Sequence, residues 1–143
     1  MNVLLSIFFS LIGILAYSQT NADDILGKWK DCQNRATFEV YKIDNQYFAK
    51  IIGLTKPTNE KGEELLDRNN PDKKLRNNKI VGLDILTGLI FNSKENYWEG
   101  GTAYDPEMGM HASCKVLMPT KNELDIKASK YFITQTRKWN RYE

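Results

Sequence analysis

Ile133, Gln135, Arg137, Trp139 and Arg141 fall on one side of a period-two pattern whose other side, Thr134, Thr136, Lys138 and Asn140, is an ordinary wet face. If the first set points inward, the interior holds two guanidinium groups, an amide and an indole. Burying an arginine costs on the order of several kcal/mol unless it is paired. Its fork matches a carboxylate or phosphate, whether from another side chain or from a bound anion. Two readings follow. One arginine stacks on an aromatic ring and seals the fold, or Arg137 and Gln135 orient the head group of a ligand whose apolar part lies against aromatic side chains such as Trp139.

Further aromatic candidates come from Tyr97-Trp98-Glu99-Gly100-Gly101-Thr102-Ala103-Tyr104-Asp105-Pro106. Simple alternation places Trp98, Thr102 and Tyr104 on one face, able to line a lumen, and the paired glycines mark a corner. Asp67, Asp72 and Arg76 form a second polar group around Asn70-Pro71. Asn70 as N-cap, Pro71 in the first helical position and Asp72 at the positive dipole end predict one short helix or 3₁₀ turn. There, Arg76 pairs with Asp72 or Asp67 and pins a lid segment. The two carboxylates are also the one candidate acid and base pair for an enzyme.

The single histidine, His111, sits on the polar face of its strand. No nucleophile elbow and no His/Cys/Asp cluster at metal-ligand spacing is present, so neither cofactor nor metal is expected. Lys73, Lys74, Arg76 and Lys79 form a basic run, read as a solvated face with weak membrane-surface contact as the alternative. Twenty basic against eighteen acidic residues, a formal charge of +2, single out no nucleic-acid partner.

These side chains need a frame. Alternating blocks at 26–31, 36–43, 47–54, 84–91, 96–104, 110–118, 123–128 and 132–142 predict eight strands joined mostly by short turns. Eight strands suffice to close a small barrel. Gly27-Lys28-Trp29 at one end and Arg137-Lys138-Trp139-Asn140-Arg141 at the other predict that the first and last strands meet. Trp29 then plugs one mouth and Arg141 lies across its ring. The polar stretch 55–80 is too long for a hairpin turn and is expected to act as a lid.

Val3 to Ala16 is apolar apart from Ser6, Ser10 and Gly13, and Ala16-Tyr17-Ser18 offers small residues for cleavage before Gln19. Residues 1–18 therefore read as a signal peptide, with one domain at 19–143, although Met1-Asn2 lacks the usual Lys or Arg. Export would permit a Cys32 to Cys114 disulfide, while alternation places Cys114 on an apolar face, where a buried thiol fits equally.

The chain resembles an exported bacterial family labelled domain of unknown function 2147. The resemblance is carried by Asp24-Ile25-Leu26-Gly27-Lys28-Trp29, Asp67 with Asn69-Asn70-Pro71-Asp72 and Leu75-Arg76, Gly82-Leu83 and Thr87-Gly88-Leu89. It continues through Trp98-Glu99-Gly100-Gly101, Tyr104-Asp105-Pro106, Gly109, Ser113-Cys114, Thr136-Arg137 and Trp139-Asn140-Arg141. One departure is Ala128-Ser129-Lys130-Tyr131, where the family tends to carry a glycine-rich turn. The resemblance implies an all-β, single eight-stranded antiparallel up-and-down barrel, lipocalin-like or fatty-acid-binding-protein-like, and an envelope location, periplasmic or secreted. It implies no activity.

The expectation is a non-enzymatic envelope protein binding a small apolar or anionic amphipathic ligand, such as a lipidic carboxylate, in the lumen. Its site residues are Gln135, Arg137, Trp139, Trp98 and Tyr104, with Trp29 and Arg141 as closure and Asp67, Asn70, Asp72 and Arg76 as lid. The alternatives are an interaction module with a filled barrel and an enzyme using Asp67, Asp72 and Arg76.

Overall fold

The computed structural model describes residues 19–142, so the leader reading of 1–18 lies outside the described residues. Eight antiparallel strands, β1 (Gly27–Asp31), β2 (Ala36–Ile43), β3 (Gln46–Leu54), β4 (Asp84–Asn92), β5 (Tyr97–Asp105), β6 (Met110–Thr120), β7 (Glu123–Lys130) and β8 (Ile133–Arg141), close into a barrel in sequence order. The polar/apolar alternation puts one face of every strand inside, and closure leaves no sheet edge to protect.

Closure is made by β1 against β8, with Trp29 opposite Arg141, Lys30 opposite Asn140 and Asp31 opposite Trp139. Gly27 makes the approach possible: its φ of 116° is accessible to glycine, and a Cβ there would stand 3.4 Å from an Arg141 nitrogen. A 3₁₀ turn at Ala22–Ile25, capped by Asn21 and Asp24 in a reciprocal capping box, tucks under this end of the barrel. Trp29 donates its indole N–H to the Ile25 carbonyl at 2.8 Å, and Trp98 donates to the Ala22 carbonyl at 3.1 Å. The guanidinium of Arg141 lies 4.0 Å from the Trp29 ring centroid. It also donates to the carbonyls of Asp24 (2.8 Å), Leu26 (2.9 Å) and Lys121 (2.9 Å). These carbonyls take up four of its N–H donors, which offsets part of the cost of burial, although desolvation still pulls the guanidinium below its usual range.

Inside the barrel, the inward positions of four strands end in alanine at the far end. On β5 the inward positions run Trp98, Gly101, Ala103; on β6, Val116, Cys114, Ala112; on β7, Leu124, Ile126, Ala128; on β2, Val40, Phe38, Ala36. The first half is packed solid around Trp29, Trp98, Tyr47, Leu89, Val116 and Leu124, all essentially inaccessible to water. The alanine half cannot fill its own cross-section. Neither a wholly filled nor a wholly empty lumen results.

The β5 corner corrects one expectation. Pairing with β6 shifts register between Trp98 and Gly101, and Gly100 adopts a φ of 73°. This bulge inverts the alternation, so Gly101 and Ala103 turn inward and Thr102 is exposed, not on the face of Trp98. The cysteines do not pair: Cys32 is exposed in the β1–β2 turn, and Cys114 is buried in the wall as a free thiol. Burial pushes the Cys114 thiol up to about 12, which keeps it protonated and inert.

Replacing Arg141 by lysine keeps the charge but loses the fork that spans three carbonyls. We expect Arg141→Lys to lower unfolding stability by about 2–3 kcal/mol in urea titration, read by tryptophan fluorescence. Wild-type stability in that variant would show that barrel closure does not depend on the cap.

Candidate functional site

The alanine half of the barrel is an open cup of about 590 Å³, within the range of small-molecule sites. Its floor is the ring of Phe38 stacked on that of Trp139, centroids 4.0 Å apart and planes within 10°. Its walls are largely apolar, with Ile51, Leu86, Ala103, Ala112, Ile126 and Ala128 from five strands. At the rim stand Gln135, Arg137, Asp31, Arg35 and Asp105. The cup is therefore apolar at depth, and at its mouth these polar groups stand beside the apolar side chains of Met108, Met110, Tyr131 and Ile133.

Arg137 reaches from β8 to Asp105 at the end of β5, with Nη2 3.6 Å from Oδ2. Both side chains are partly exposed (45% and 33%), so the pair contributes at most about 1 kcal/mol. An incoming carboxylate can take the place of Asp105 at little cost. Asp31, buried at the rim, accepts from Arg35 Nε at 2.9 Å. Neither acid stands among the sequence candidates. Asp105 becomes visible once the Gly100 bulge is known, since it follows Ala103 by two on the inward face. Asp31 was legible earlier, two residues after the inward Trp29.

The segment 55–83 between β3 and β4 supplies the remaining wall through Leu65, Leu66, Asn69 and Ile80. It is fastened internally by bridges between Thr58 and Glu64 and between Leu66 and Lys79. Asp67 is completely buried and accepts from the Tyr104 hydroxyl at 2.7 Å and from Asn70 Nδ2 at 2.6 Å. Asn69 Nδ2 donates to the Glu107 carbonyl at 2.7 Å. Here Gly109, at φ 63°, lies so close that an added Cβ would fall 1.9 Å from the Asn69 carbonyl oxygen. The segment is thus latched to the β5–β6 corner.

The structure assembles some of the sequence candidates and separates others. Gln135, Arg137 and Trp139 share the cup, and Tyr104 stands at its rim, its ring stacked on His111 with centroids 4.5 Å apart. Trp98 does not line the cup. It packs in the closed half against Phe91 (4.9 Å) and Tyr47 (6.3 Å), because the 3₁₀ turn needs its N–H and its bulk.

In the lid, the expected turn forms as a 3₁₀ turn, Lys73–Leu75, but it is capped by Asp72 and not by Asn70. Asn70 instead bridges, donating to Asp67 and accepting from the Asp72 N–H at 2.9 Å. Arg76 forms no ion pair with Asp67 or Asp72; its Nε donates to the Asn70 carbonyl at 2.7 Å. The two carboxylates do not converge on a common cleft. Asp67 is sealed under Tyr104, and Asp72 is exposed and occupied by the Lys74 N–H. The acid and base pair that an enzymatic reading needs is not assembled.

Comparison with known proteins agrees with this architecture. Residues 27–141 match a family described as an uncharacterised protein conserved in bacteria (DUF2147). Among solved structures, the Helicobacter pylori protein HP1028, described as belonging to the lipocalin family, superposes with a TM-score of 0.70 at 21% identity, covering 82% of each chain. At that identity the likeness shows the fold, a lipocalin-like barrel, and the fold alone. Among curated proteins none matches significantly.

Desolvation, and then donation to Asp67, raise the Tyr104 hydroxyl above the ordinary 10.0. A folded value above the unfolded one means that the latch contributes fully below pH 10 and is lost as pH rises through the folded value. We expect Tyr104→Phe to lose about 1–3 kcal/mol near neutral pH and to flatten the alkaline fall in stability, measured by denaturation across pH 8–12. Gly109→Ala, which combines a left-handed φ with a backbone clash, is expected to cost about 3 kcal/mol in the same assay.

Proposed function

We propose, taking as premise that the chain belongs to this uncharacterised bacterial family and has a lipocalin-like barrel, that it is a non-enzymatic carrier of a small amphiphile with an anionic head. The observation that carries this reading is the cup itself: an apolar chamber floored by Phe38 and Trp139, with Arg137 and Gln135 at its mouth. The apolar part of the ligand packs on the floor, where an extra 0.5–1.5 kcal/mol or so is available from aromatic contact beyond area alone. The head displaces Asp105 from Arg137. Such a ligand is a single-chain carboxylate, and the half-filled barrel sets an upper limit on its length.

Residues 3–18 support an envelope role, with the leader removed before Gln19 and the barrel acting outside the cytoplasm. That location and the absence of catalysis are part of the proposal.

The test is quenching of tryptophan emission by a brominated medium-chain fatty acid. Trp139 at the floor is quenched, while Trp29 and Trp98 in the closed half are not, so Trp139→Phe abolishes most of the signal. Arg137→Ala weakens binding of the carboxylate about fivefold and leaves the matching neutral alcohol unchanged, as expected for one exposed charge-assisted contact. Absence of quenching together with absence of thermal stabilisation would remove the carrier reading.

A further inference from the structure

The turn between β7 and β8 presents Tyr131 and Phe132 followed by Ile133, and their relative exposures are 90%, 104% and 68%. Folding gains nothing from these side chains where they stand. Tyr131 occupies a left-handed conformation, φ 56°, a position that glycine or asparagine fills at lower cost. An apolar tip with aromatic residues facing water, retained in a strained turn, marks a surface that meets something else.

Three observations specify what it meets. The apolar surface is continuous with the cup: Tyr131, Ile133, Met108 and Met110 are exposed and also line its mouth. The tip sits on a two-residue turn between Lys130 and Ile133, so it stands out as the end of a hairpin. A lipid surface accepts such a wedge without shape complementarity, and aromatic and isoleucine side chains partition into its interfacial layer.

Charge agrees. Lys130, at the root of the tip, and Lys73 and Lys74 in the lid make no ion pair among the described residues; of the acids at the same end, Asp31, Asp105 and Glu64 are each held by a cation, and Asp72 and Glu107 are not. At the tip itself the unpaired charge is that of Lys130, which favours anionic head groups.

We propose that the open end docks on an anionic phospholipid surface by inserting Tyr131, Phe132 and Ile133, with Lys130 against the head groups, so that the cup mouth faces the bilayer. This deepens the carrier reading by naming the source of its ligand, but the docking is measured without ligand.

The experiment uses Phe132→Trp in the otherwise intact mature chain, with vesicles of phosphatidylcholine alone or mixed equally with phosphatidylglycerol. Because Trp29, Trp98 and Trp139 are buried, the emission change reports the tip. The expected result is a blue shift and co-flotation on anionic vesicles, both much weaker on neutral ones. The double variant Tyr131→Asn with Phe132→Ser, in which asparagine suits the left-handed turn, lowers vesicle partitioning at least about tenfold. Lys130→Glu lowers it about fivefold or more. Phe132→Ser alone, whose side chain does not line the cup, also lowers vesicle partitioning while its brominated fatty-acid quenching stays at the wild-type level, which separates failure of docking from failure of the cup.

No blue shift, or flotation unchanged in the double variant, overturns the proposal. So does concentration-dependent self-association in analytical ultracentrifugation that the double variant abolishes without vesicle binding, since the tip would then contact a second copy.

Discussion

Everything in this molecule depends on β1 meeting β8. A sheet of eight strands that failed to close would leave two exposed edges and no interior, and the polar-apolar alternation would have nothing to enclose. The junction is short, three residue pairs from Trp29 to Asp31, and it is secured by one guanidinium lying on an indole and donating to three carbonyls. Ion pairs on the outside of the barrel are individually worth a few tenths of a kcal/mol to about one. The Arg141 cap is of another kind, because one guanidinium ties both the N-terminal turn and the β6–β7 turn to β8 through three carbonyls.

Closure at one end decides the character of the other. Bulky residues concentrate where the N-terminal turn tucks under the barrel, so that half is solid, and on β2, β5, β6 and β7 the inward positions end in alanine toward the opposite mouth. Close packing is then impossible there, and a cup is left whose shape comes from missing side chains, not from a special loop. The polar groups at the rim are weakly paired and accessible. Arg137 with Asp105 is a substitutable pair, whereas Asp67 with Tyr104 and Asn70 is a buried and satisfied one. The first suits binding and the second suits fastening, and the contrast follows from burial alone.

Much of this was legible in the residues. Period-two blocks place all eight strands within two or three residues of their observed limits, and the Gly-Lys-Trp and Arg-x-Trp-x-Arg ends announce the closure. The inward face of β8 was legible too, because its alternation is strict. The lid was harder. Asn70-Pro71-Asp72 has helix-start chemistry, yet the Asn70 side chain serves both Asp67 and the Asp72 N–H, and the cap moves two residues on. The Asn70 amide is taken by the buried Asp67 carboxylate, which is itself fixed by the Tyr104 hydroxyl from 37 residues away.

The chain by itself determined that the fold is a closed antiparallel barrel, which side of each regular strand faces in, and which tryptophan and arginine join its ends, because alternation and end chemistry are local properties of the sequence. Only the tertiary structure decided that Trp98 belongs to the packed half, that Thr102 faces solvent and that Asp105 partners Arg137. One residue inserted at the Gly100 bulge reverses every later side chain on β5, and that insertion is defined only against the pairing strand. The cup has the same origin: a taper of side-chain size along a strand becomes a volume only when all the tapered strands stand around one axis.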